Sequence, residues 1–108
     1  MKFYKNLYIG NTIKNPGKTR RKLKRHAKLQ NVYVIAYMAE SGQLSIYHNL
    51  MFQQRYYREH QPYVIGIAGN HDEAVEIICR IAEESVRETG RADLVAYLFS
   101  DQQGKCVL

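Results

Sequence analysis

Acidic residues are missing from the first thirty-nine positions of this chain: Glu40 is the first, and Glu59 is the only other before residue 61. Cysteine is nearly as scarce. Cys79 and Cys106 form no C-x-x-C pair, which excludes a disulfide framework and points to a reducing compartment. Cys79 stands inside an apolar helical stretch, where a buried, reduced thiol is expected. Long apolar runs are also lacking. The longest, residues 32–39, is too short to cross a bilayer. Residues 1–6 are charged with no apolar region behind them, so no signal peptide is expected. The terminal Lys105-Cys106-Val107-Leu108 misses a prenylation box because its cysteine stands one position too late. A cytoplasmic protein without membrane association follows as the expectation.

What is present is a chain of 108 residues with 45% hydrophobic residues, suited to one domain over 1–108 and one core. Its net charge of +6 is unevenly distributed. Residues 1–60 carry twelve Lys/Arg against two acids, and residues 61–108 carry four against eight. Such a split either marks an anionic partner or lets the two halves attract each other within the fold.

Patterning predicts a strand over 3–9, a loop over 10–17 and a helix from Asn15-Pro16 to about Gln30. The helix has a thin apolar stripe of Leu23 and Ala27, with some help from Leu29. Residues 32–39, β-branched and aromatic throughout, predict the strongest strand. A turn at 40–43 and a returning strand over 44–48 follow. Residues 49–62 have no clear period, and 63–68 read as a further strand. Residues 70–89 predict the best helix, with an apolar face centred on Ile78 and Gly90 as its stop. Residues 94–99 read as a last strand and 100–108 as a flexible tail. The expected class is α+β: a two-layer mixed sheet of about five strands in β-α-β-β-β-α-β order with two helices, ending in a βαβ unit.

Three motif-like segments fail as chemistry. Gly17-Lys18-Thr19 before a helix lacks the upstream glycine of a phosphate-binding loop, since position 12 is Thr. Gly69-Asn70-His71-Asp72 after a strand locally resembles a motif of dimetal phosphoesterases. Two metals need many donors, and the chain has only Asp72, Asp93 and Asp101 as aspartates. The expected reading is a helix cap by Asn70, with Glu73 completing a capping box and Asp72 favouring the positive helix end. The helix, three strands and helix beginning at residue 17 resemble the double-stranded RNA-binding domain in topology. That fold reads phosphates from the start of its second helix, and here that start is acidic. His26, His48, His60 and His71 show no metal-ligand spacing, and no serine sits in a nucleophile elbow. No catalytic residue, metal site or cofactor is expected.

The leading functional reading is a non-catalytic interaction module acting as a homo-oligomer or adaptor. The expected homodimer face is Tyr33, Ile35 and Tyr37, because the 32–39 strand is apolar on both sides and the first helix is too thin to cover one of them. The alternative is nucleic-acid binding by the helix over 18–28, with Lys18, Arg21, Lys24, Arg25 and Lys28 as candidate phosphate contacts. A small-molecule site between Tyr47, His48 and the 49–62 segment is a third possibility.

Overall fold

A computed structural model describes residues 2–25, 29 and 31–99; Lys28 and the expected tail over 100–108 lie outside them. The protein is a mixed α+β structure around a four-stranded sheet. Strand β1 (Lys2–Ile9) leads into helix α1 (Pro16–Lys24), and the hairpin β2 (Tyr33–Met38) and β3 (Gln43–His48) follows. A 3-10 turn over Asn49–Gln53 and the short helix α2 (Arg55–Glu59) lead to β4 (Tyr63–Ala68) and the long helix α3 (His71–Thr89). The sheet order is β1-β4-β2-β3, with β1 parallel to β4 and the other pairs antiparallel.

Local chemistry explains most of these boundaries. Asn15 accepts a hydrogen bond from the Lys18 amide and Pro16 occupies the first turn of α1. Asn70 does the same for α3 through the Glu73 amide, and Gly90, left-handed at φ 77°, ends that helix. The β2–β3 turn needs Gly42 at φ 68°.

Two expectations about the elements are overturned. Residues 94–99 are helical, so among the described residues the sheet has four strands, without the expected fifth strand and terminal βαβ unit. Asp93 decides the matter: its carboxylate accepts from the Ala96 amide, as an N-cap does, and its carbonyl accepts from the Tyr97 amide. Leu94 and Leu98 then share one face, with Leu98 fully buried. Cys79 is exposed rather than buried. The buried row of α3 is Ala74, Ile77, Ile81 and Ser85, one position away from the face centred on Ile78.

Both faces of the sheet are covered. On one, Tyr4, Ile35, Ile65 and Ala68 meet Ala74, Ile77 and Ile81 of α3 together with Leu98. Tyr4 donates to the Leu98 carbonyl and Tyr37 packs edge-on against Phe99 at 4.9 Å, so the 94–99 helix is held onto this face by aromatic residues. On the other, Val34, Ala36, Val64 and Ile67 meet Leu23 of α1 and Phe52. The expected self-association face is therefore corrected: Ile35 is fully buried beneath α3, and Tyr33 and Tyr37 are half-buried beside it. The segment over 49–62 supplies the cover that α1 alone lacks. Asn49 holds it in place, buried, donating to the carbonyls of Leu29 and Val32 and accepting from the Leu29 amide.

Phe52 fills the space between α1 and the sheet at 1% exposure, so its removal leaves a cavity that α1 cannot close. Phe52→Ala is expected to cost about 3–5 kcal/mol. Urea unfolding checks this; a loss below about 1 kcal/mol would mean that the segment does not carry this face.

Candidate nucleic-acid interface

The cations of the N-terminal third collect on α1 and its approach. Helix α1 buries only Leu23. At 3.6 residues per turn, Lys18, Arg21, Lys22 and Arg25 fall within about 100° of one another, opposite Leu23. Lys14, Lys18, Arg21, Lys24 and Arg25 are exposed, and Lys22 is half-buried. Arg20 turns back towards the sheet and lies over the Phe3 ring at 5.1 Å. Between β1 and the start of α1 runs a groove of about 390 Å³ lined by Lys5, Asn6, Leu7, Ile9, Pro16, Gly17 and Arg20.

Among the described residues none of these cations forms an ion pair; the three pairs present are Arg55–Glu59, His60–Glu40 and Arg87–Glu88. Their freedom follows from topology. Leu23 anchors α1 to one face of the sheet, and the acidic α3 packs on the opposite face. Among the described residues the acids of α3 therefore make no ion pair with the cations of α1. Of the expected phosphate contacts, Lys18, Arg21, Lys24 and Arg25 are all on this helix or its C-terminal cap, and Lys28 is not described.

The same face of the sheet carries the 49–59 segment, which sequence patterning left without a role at the site. Phe52 and Tyr57 point inward, with Tyr47 packed against both rings. Tyr56 points outward at 48% exposure and is stacked on His60, with ring centroids 4.3 Å apart and planes within 15°. Arg55 and Arg58 are exposed beside it. The suggested small-molecule site at Tyr47 and His48 is instead internal packing: His48 Nδ1 accepts from the Leu50 amide and its ring meets Tyr33 at 5.0 Å.

The carboxyl ends of the parallel pair β1 and β4 bring two loops together, and Glu73 binds them. Its carboxylate accepts from the Gly69 amide at 2.8 Å, the Thr12 amide at 3.1 Å and the Thr12 hydroxyl at 2.6 Å. Glu73 thus reaches the amide before the cap residue and the β1 loop, where a capping box would use the Asn70 amide. Gly69 is needed here, because a Cβ at that position would collide with the Thr12 hydroxyl. His71 meets the Tyr33 ring at 5.9 Å, and Asn70 is occupied as the cap. No group of three metal-binding side chains exists among the described residues. A wider cleft of about 640 Å³ between β3, α3 and residues 91–95 contains Asp93, whose carboxylate already caps the 94–99 helix.

Partial burial pushes the Glu73 carboxyl up, but the hydrogen bonds from Thr12, Gly69 and Asn11 outweigh it and hold the group below its ordinary value of 4.5. At Tyr8, burial first and then donation to Glu84 at 2.7 Å push the phenol well above its ordinary value, so it stays a donor. Among the described residues no helix is long and apolar enough to cross a membrane. Comparison with protein-family models, curated proteins and solved structures found no match.

A depressed carboxyl stabilises the fold above its unfolded pKa and loses that contribution as pH falls through the folded value. Glu73→Gln is accordingly expected to melt below the parent at pH 7 by the equivalent of about 1 kcal/mol. The gap should narrow as pH falls below the ordinary value of 4.5 and through the depressed one. Thermal melts across that range check this; a gap independent of pH would mean that the ionised form is not what binds the loops.

Proposed function

We propose that this protein binds nucleic acid through the α1 face, with α1 taking the phosphates and Tyr56 offering a stacking surface to an unpaired base. One observation supports this most: the exposed cations of α1 have no ion-pair partner among the described residues and lie on the sheet face opposite α3. An acid-free stretch whose described cations are not neutralised by any described acid is suited to a polyanion. Phosphate contact needs no deep pocket, only donors with reach, and Lys and Arg on a solvent-facing helix meet that requirement. Tyr56 and His60, already stacked and flanked by Arg55 and Arg58, add the aromatic component common to single-strand binders.

Binding to a fluorescein-labelled single strand should weaken steeply with salt. Four neutralised phosphates give a slope of about −3 in log affinity against log salt for a single strand. Replacing Arg21, Lys24 and Arg25 together by Glu should abolish binding at physiological salt and leave the circular-dichroism melt unchanged, since all three are exposed. Fluorescence anisotropy at low and physiological salt reads both. Unaltered affinity in that variant would remove α1 as the interface.

Tyr56→Ala should weaken single-strand binding about tenfold, as loss of one stacked base does, and leave duplex binding within about twofold. Equal losses for both would show that Tyr56 acts on the fold and not on a base.

A further inference from the structure

Strand β1 is an edge strand and does not pair evenly with β4. Phe3 stands opposite Val64 and Tyr8 opposite Gly66, so the stretch from Tyr4 to Leu7 faces Ile65 alone. The chain takes up the excess as a bulge. Tyr4 turns inward, while Lys5 and Asn6 are exposed and line the groove between β1 and α1. Bulges re-aim side chains in this way beside binding sites. Leu7 and Ile9, both half-buried, and Pro16 give the groove an apolar wall. Arg20 enters it from α1, held over the Phe3 ring. Among the described residues the side chains of Lys5, Asn6 and Arg20 form no hydrogen bond and no ion pair.

We infer that this groove binds one adenine nucleotide of a strand lying on α1. The base lies against Leu7, Ile9 and Pro16 with Arg20 stacked on its face; Asn6 meets its edge and Lys5 takes its phosphate. Each part follows from the chemistry of the lining. A guanidinium steadied on a phenyl ring offers its other face to a base. A carboxamide sets an acceptor beside donors, and adenine presents the matching pair on both its Watson–Crick and its Hoogsteen edge. An anionic group complements Lys5 and Arg20, whose charges no described acid neutralises.

A blunted sheet edge accounts for the bulge and for Lys5. It does not account for Arg20 held on Phe3, nor for the unpaired Asn6 beside an apolar wall. The inference rests on the nucleic-acid reading for the strand, and not for the groove's own fit to a nucleotide. The groove belongs to β1 at one edge of the sheet. Tyr56 belongs to the segment packed on Tyr47 of β3 at the other edge, about 14 Å away across the strand spacings between them. A mononucleotide can therefore occupy the groove without reaching Tyr56.

Amide chemical shifts during separate titrations with AMP, CMP and an oligoglutamate peptide test the groove. Anisotropy of a labelled oligothymidine, with and without one central deoxyadenosine, tests the strand. AMP should move the amides of residues 5–9 and 17–20, with CMP binding about fivefold more weakly or worse. The adenine should tighten the strand by about fivefold or more, and Asn6→Ala should bring the two strands within about twofold of each other. Arg20→Gln should weaken AMP by about fivefold or more through the lost stack. Both positions are exposed, so an unchanged melt is expected of each variant. AMP selectivity in the groove without any strand binding would mark a free nucleotide as the ligand and remove the α1 reading alone. Strand binding indifferent to the adenine overturns the groove and leaves the α1 reading standing. A preference that survives Asn6→Ala overturns Asn6 as the reader of the base. Peptide shifts that match those of AMP would assign the groove to an acidic peptide and overturn the nucleotide.

Discussion

Burial of strands β2 and β4 on both faces is the constraint from which the rest of the structure follows. Val34, Ile35, Ala36, Val64, Ile65 and Ile67 are all without exposure, so neither side of the sheet can be left to water. Such strands need two covers, and the chain provides them unequally. Helix α3 and the 94–99 helix form the thick one; α1 and the 49–59 segment form the thin one. Because each cover turns its polar side outward, the division of charge along the sequence becomes a division between two opposite surfaces. The acidic helix lies on one and the basic helix on the other.

Much of this was legible in the sequence where local chemistry alone decides. Asn15-Pro16, Asn70, Gly42 and Gly90 each fix a boundary through a hydrogen bond or a permitted dihedral, and each acts where the pattern places it. The strands over 33–38, 43–48 and 63–68 were equally plain, being β-branched and aromatic between turn residues. The 94–99 segment was misread because six apolar or aromatic residues carry little period, and the deciding signal was Asp93 as a cap. Leu94 and Leu98, four residues apart, are the apolar pair that a helix capped by Asp93 places on one face. The exposure of Cys79 and the cover over Ile35 depend on which way α3 is rolled on the sheet. That roll is set by Ile77 and Ile81 fitting the sheet, a tertiary matter to which the helix's own broad apolar sector is indifferent.

The basic surface shows the same limit from the functional side. Eight Lys/Arg between Lys14 and Lys28 were visible as a cluster, but whether α3 neutralised them could not be read from order along the chain. The sheet between the two helices answers that. The aromatic part of the face was less legible still, since Tyr56 and Tyr57 are adjacent and only their placement on a short helix sends one outward and the other inward. Glu73 shows how far such placement reaches. A capping residue by sequence, it binds the loops that follow β1 and β4 because those strands are parallel neighbours.

The central claim is that opposite faces of the sheet have separate electrostatic roles, with α1 open to a polyanion. Amide chemical-shift mapping during titration with a short single-stranded oligonucleotide tests it most directly. Perturbations are expected at the amides of residues 14–25 and 55–60, with α3 unmoved. Perturbations centred on α3 or the cleft beside β3, with α1 silent, would contradict it.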